Sequence, residues 1–94
     1  MEVKEKPINE DEIYEACMEQ WGAHAQYGML QEECAELIVA VNKLHRGKYN
    51  AVANVCEEMA DVQNMINQFK RFYPDFEKVR LAKLERVSKL LKYQ

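Results

Sequence analysis

Chain breakers are scarce in this sequence: three glycines and two prolines in 94 residues. So few breakers disfavour a strand-rich fold with many turns and favour long helices. No apolar run approaches the roughly 18 residues of a membrane span. The N-terminal stretch Met1–Asn9 is charged and lacks the apolar core of a secretory signal. Basic charge is not in excess either. The formal net charge is −3, which leaves no strong footprint for nucleic acid. The three cysteines, Cys17, Cys34 and Cys56, are odd in number and form no C-x-x-C pair. Each lies beside apolar residues, so they read as reduced core thiols of a cytoplasmic protein. HExxH is absent, and neither His24 nor His45 follows a Glu by three residues. The Glu-x-x-His pairs of a di-iron carboxylate bundle are therefore missing.

The chain is short enough for a single domain with a limited core, and such a chain gains from self-association. Hydrophobic residues make up 48% and charged residues 31%, a globular balance. Charge is unevenly spread: residues 1–47 carry ten acids and four bases, and residues 48–94 six acids and nine bases. The last stretch is basic, with Lys78, Arg80, Lys83, Arg86, Lys89 and Lys92.

Residues 1–8 read as a flexible leader and 9–94 as one helical domain. Asn9 or Asp11 can cap a first helix reaching about Gln20, with Glu10, Glu12 and Glu15 suiting its N-terminal dipole. Trp21-Gly22 marks a break or bend. A second helix runs from about His24 to Arg46 and stops at Gly47. A third runs from about Asn50 to Phe72, before Pro74. A fourth starts near Asp75 and continues to the C-terminus. The second helix carries Leu30, Cys34, Leu37, Val41 and Leu44. The third carries Val52, Val55, Met59, Val62, Ile66, Phe69 and Tyr73. Steps of three and four alternate, as in bundle seams, which predicts an antiparallel hairpin through Gly47–Tyr49. The fourth helix offers Val79, Leu84, Val87 and Leu91 to a core. The expectation is an all-α, four-helix bundle completed by homo-oligomerisation, because a hairpin with two shorter helices leaves apolar surface uncovered.

One pattern occurs twice, 25 residues apart: Glu32-Glu33-Cys34-Ala35-Glu36-Leu37 and Glu57-Glu58-Met59-Ala60-Asp61-Val62. Writing the apolar seam as heptad positions a and d puts Glu33 and Glu58 at g, and Glu36 and Asp61 at c. Each pair is one turn apart on one helix face. Acid runs on helices are ordinarily solvated faces, and such faces normally supply Lys or Arg three or four residues away. None of these six acids has one. Glu32–Glu36 and Glu57–Asp61 are instead like-charge i, i+4 pairs. A divalent cation answers this most directly, and an all-oxygen donor set selects a hard ion, Mg²⁺ or Mn²⁺.

The spaced motif E-E-x-x-E (Glu32, Glu33, Glu36), then E-x-x-D (Glu58, Asp61) on a following helix, resembles the signature of MazG-like, all-α nucleoside triphosphate pyrophosphohydrolases. Trp21-Gly22, with Gln26 and Gln31 leading to Glu32, resembles the family's lead-in. The resemblance covers roughly residues 12–90. It implies Mg²⁺-dependent hydrolysis of an NTP or dNTP to the monophosphate and pyrophosphate, in a homodimer or homotetramer. It implies metal ligation by Glu33, Glu36, Glu58 and Asp61, with Glu32 as a further ligand or a group that positions water; a spare carboxylate, Glu32 or Glu33, could take the proton from the attacking water. Lys83 and Arg86 fall where the family places phosphate-contacting bases, although the fuller basic, Asn-containing C-terminal pattern is absent here. Lys43 and Lys48 are further candidates to meet phosphate, Trp21, His24 and Gln26 to line a base pocket, and Asn64 to reach the metal site or the substrate. Two other readings use the same residues. The acids could form a docking face on a non-catalytic helical module, or the chain could bind nucleotides without hydrolysing them. No membrane or nucleic-acid partner is expected.

Overall fold

The computed structural model describes residues 7–92, so the expected leader lies largely outside the described residues. Among the described residues the chain is all-helical, with no strand, and comprises three helices: α1, Glu10–His45; α2, Ala51–Lys70; and α3, Phe76–Lys92. None is long and apolar enough to cross a membrane.

α1 begins where the sequence predicts. Asn9 is the N-cap, its side chain accepting from the Glu12 amide at 3.1 Å, and Glu10, Asp11 and Glu12 fill the first turn. Two predicted helices are the two arms of α1, which bends at Gly22. Gly22 has φ 82° and ψ 159°, a conformation essentially confined to glycine. A Cβ there would meet no atom within 4 Å, so backbone preference alone demands the glycine. The first arm leans onto the C-terminal half of α2, with Arg71 of α2's C-cap 3.7 Å from Glu15. α1 ends before Gly47 (φ 67°) and α2 starts after the left-handed Asn50 (φ 60°), giving the short hairpin connection that was expected.

The packing of the hairpin is rotated from the predicted seam. On the second arm of α1 the residues withdrawn from solvent are Gln26, Leu30, Glu33, Leu37 and Ala40. On α2 the stripe runs Ala51, Val55, Glu58, Val62, Met65 and Phe69. These are positions d and g rather than a and d. Of the a positions, Cys34, Val41, Val52 and Met59 are exposed, Val52 at 73%. The apolar arc of each helix spans g, d, a and e, wider than one partner can cover. With Ala at position 40 only 1% exposed and Ala51 also buried, the loop end closes on small g-position side chains, and the branched a-position residues turn outward.

α3 packs extensively against neither helix. Val79, Leu84, Val87 and Leu91, expected to face a core, are each about half exposed or more, and α3 has no buried residue. Successive turns (Phe72 N–H to Phe69 O, Tyr73 N–H to Lys70 O, Phe76 N–H to Tyr73 O) carry the chain from α2 into α3. The radius of gyration, 17.5 Å, exceeds the roughly 12 Å of a compact chain of this length. The cysteines also differ from expectation: Cys34 and Cys56 are exposed and only Cys17 is half-buried, because two of them sit on the uncovered a/e side.

Candidate functional site

Rotation of the seam has a chemical consequence: Glu33 and Glu58, at g, are turned into the α1–α2 interface. One ligand oxygen from each of Glu33, Glu36 and Glu58 lies within 4.8 Å of the others. Glu33 and Glu36 are one turn apart on α1, and Glu58 arrives from α2. One carboxylate oxygen of Glu33 and one of Glu58 are buried with no hydrogen-bond partner. Among the described residues, no Lys, Arg or His comes within ion-pair distance of these three acids.

The electrostatics follow. Burial first, then the charges of Asp61 and Glu36, push the Glu33 carboxyl up to about 7. Glu58 is raised for the same first reason, helped by the close carboxylate of Glu36 and by the charge of Asp61. Asp61 is exposed and joins the cluster as a neighbouring charge rather than as one of the three closest oxygens. Glu32 and Glu57 are exposed on the rim. Three convergent carboxylates form an all-oxygen donor set suited to a hard dication, and two of their oxygens have no hydrogen-bond partner among the described residues.

Beside the cluster, a shallow depression of about 300 Å³ is lined by Glu32, Glu36, Glu58, Lys43 and Asn54. The structure thus brings Lys43 to the acids, two turns along α1 from Glu36. Asn54 was missed by the sequence reading. Its signal is present in the spacing, four residues before Glu58 and hence on the same face.

A larger cleft of about 760 Å³ lies along the same groove, between both arms of α1 and α2. It gathers three of the expected substrate-side residues, Trp21, Gln26 and Asn64. Trp21 is 60% exposed rather than packed as an anchor. Gln68 joins them, donating its Nε2–H to Gln26 Oε1 at 2.7 Å with both residues buried. A glutamine beside the apolar Phe69 gave no hint of this pairing, which depends on two residues 42 positions apart. Tyr27 stacks on Phe69, ring centroids 4.2 Å apart, and its hydroxyl meets that of Tyr73 at 2.5 Å. Both contacts lock α1 to the end of α2 next to the cleft.

Lys83 and Arg86 are not brought to the acids within the chain. They lie on α3, and Lys83 lines a separate depression with Phe72, Tyr73 and Phe76. His24 and Lys48 are exposed and line neither the acid depression nor the large cleft. No family model matches the chain, and neither a curated protein nor a solved structure matches it.

Proposed function

We propose that this chain is a Mg²⁺-dependent nucleotide pyrophosphohydrolase of the MazG-like kind, splitting an NTP or dNTP into the monophosphate and pyrophosphate. The observation that carries the reading is the pair of buried, unpartnered carboxylate oxygens of Glu33 and Glu58 converging with Glu36 from two helices. Leaving such groups unpaired is costly, and a dication held by Glu33, Glu36, Glu58 and the adjacent Asp61 removes that cost. A bound Mg²⁺ would supply charge neutralisation for the phosphates and a polarised water.

The chain's own residues divide the remaining work. A carboxylate, Glu32 on the rim or Glu33 itself, accepts a proton from the attacking water. That water forms the new bond to the phosphorus next to the sugar, and the bridging P–O bond breaks to release pyrophosphate. Lys43, in the same depression as Glu36 and Glu58, offsets charge on the departing group. Gln26 lies seven residues before Glu33, about 10 Å along the helix. A nucleotide laid along the groove with its phosphates at the acids therefore places its base against Trp21, Gln26 and Asn64. Completion of the bundle by a second copy belongs to the same proposal, since α3 finds no core in its own chain.

The test is a pyrophosphate-release screen over common and modified NTPs and dNTPs with Mg²⁺. Release of pyrophosphate from at least one of them, lost on omitting metal, is expected; no turnover of any would reject the hydrolase. The rival reading, an acidic docking face, draws on the exposure of Glu32, Glu57 and Asp61. It predicts a response to ionic strength but none specific to Mg²⁺.

A further inference from the structure

Among the described residues, two apolar surfaces have no partner. One is the face of α3 formed by Phe76, Val79, Leu84, Val87 and Leu91, of which Leu91 is 64% exposed. The other is the outer, a/e side of the hairpin: Cys34, Ile38 and Val41 on α1, and Val52, Cys56 and Met59 on α2. Ile38 there is 71% exposed.

The outer face of the hairpin is uncharged, none of these six residues being an acid or a base, and α3 carries six bases and two acids. Lys83 lies among the apolar residues of α3 by helical periodicity, and its long stem can cover apolar surface while its ammonium stays in water. Within its own chain α3 packs extensively against neither hairpin helix.

The surface area points to what covers these faces. The chain exposes 8310 Å², where a compact monomer of 11.1 kDa exposes about 5,700 Å². Covering only half of that excess on each of two chains would bury about 2,600 Å² in total, which falls within the range of obligate dimers.

We propose that α3 of one copy lies along the outer face of the α1–α2 hairpin of a second copy, each copy giving and receiving one helix. The arrangement is two-fold symmetric and closes on itself, so it ends at a defined assembly rather than a fibre. The inference rests on the self-association proposed above and adds which element docks where; it does not depend on hydrolysis.

The experiment uses the full chain. Light scattering should give twice the chain mass of 11.1 kDa. The double variant Leu84→Glu, Val87→Glu should give the monomer mass, and so should Ile38→Glu, Val52→Glu on the receiving face. Circular dichroism of each variant should stay helical, because none of these four residues is buried in its own chain. In a second measurement, L84C is oxidised with copper phenanthroline and the cross-linked peptides are sequenced. Position 84 should be joined to Cys34 or Cys56 in a two-chain species. A monomeric wild type would overturn both this docking and the proposed self-association. A dimer indifferent to both double variants, or cross-links only between two copies of position 84, would overturn the docking alone and leave the pyrophosphohydrolase reading standing.

Discussion

Two polar pairs are withdrawn from solvent in the α1–α2 groove about two turns apart, and the fold treats them oppositely. Gln26 and Gln68 are neutral, buried and joined by a 2.7 Å hydrogen bond. Glu33 and Glu58 are acids, partly buried, and each keeps one buried oxygen with no partner. An amide pair satisfies itself, because each amide carries both a donor and an acceptor. Two carboxylates cannot, because ionised they are acceptors only. The first pair therefore has the character of a clamp, whereas the second leaves its buried oxygens without a donor among the described residues.

The largest effect that would sharpen this contrast is on turnover. Glu36→Gln or Asp61→Asn should lower Mg²⁺-dependent pyrophosphate release by about 10²–10³-fold, the size seen when one preorganised electrostatic group is removed from an active site. Far-ultraviolet circular dichroism should be unchanged, since both side chains are exposed. Undiminished turnover in both variants would reject the site.

Next in size is the response to metal. Mg²⁺ at about 100 times its dissociation constant should stabilise the chain by about 2.7 kcal/mol, a rise in Tm on the order of 10 °C for a domain of this size. An equal ionic strength of NaCl should not reproduce it. If the two salts act alike, the acids are a docking face.

The amide pair should behave differently. Gln26→Leu or Gln68→Leu alone strands a buried partner and should cost about 1–3 kcal/mol by urea denaturation. The double variant should cost less than the two single costs together. Strict additivity would show that the two amides are not coupled.

The smallest effect is the pH dependence of the metal-free protein. Glu33 ionises near 7 in the fold, against an ordinary value of 4.5. A carboxyl raised in the folded state contributes stability that is complete below about 4.5 and is lost as pH rises through about 7. Metal-free Tm should therefore fall between pH 5 and pH 8, and Glu33→Gln should flatten that fall. Partial exposure of Glu33 keeps the slope modest. A metal-free Tm that rises over this range would contradict the burial of Glu33.

Local structure was legible wherever neighbouring residues decide it. Asn9 capped α1, Gly22 bent it, Gly47 and Asn50 turned the hairpin, and the connector around Pro74 separated α2 from α3, as spacing and backbone preference required. The candidate acids were legible because the absence of a nearby base is visible within one helix. The face that each helix buries was not. An arc spanning g, d, a and e is compatible with an a/d or a d/g seam, and the choice depends on how closely Ala40 and Ala51 let the two helices approach. Gln68 and the exposed cysteines were missed for the same reason, since each follows from the rotation of that seam.

Sequence alone determined the helices, their ends and the supply of acids without local cations, because these depend on backbone preference and on contacts within four residues. Only the tertiary structure decided that Glu33 and Glu58 turn inward together, that Trp21, Gln26, Asn64 and Gln68 share a cleft, and that α3 stands apart with Lys83 and Arg86. Those facts depend on the rotation of one helix against another and on the direction of a short connector. Periodicity leaves both free, because the same stripe of residues can be packed from either side.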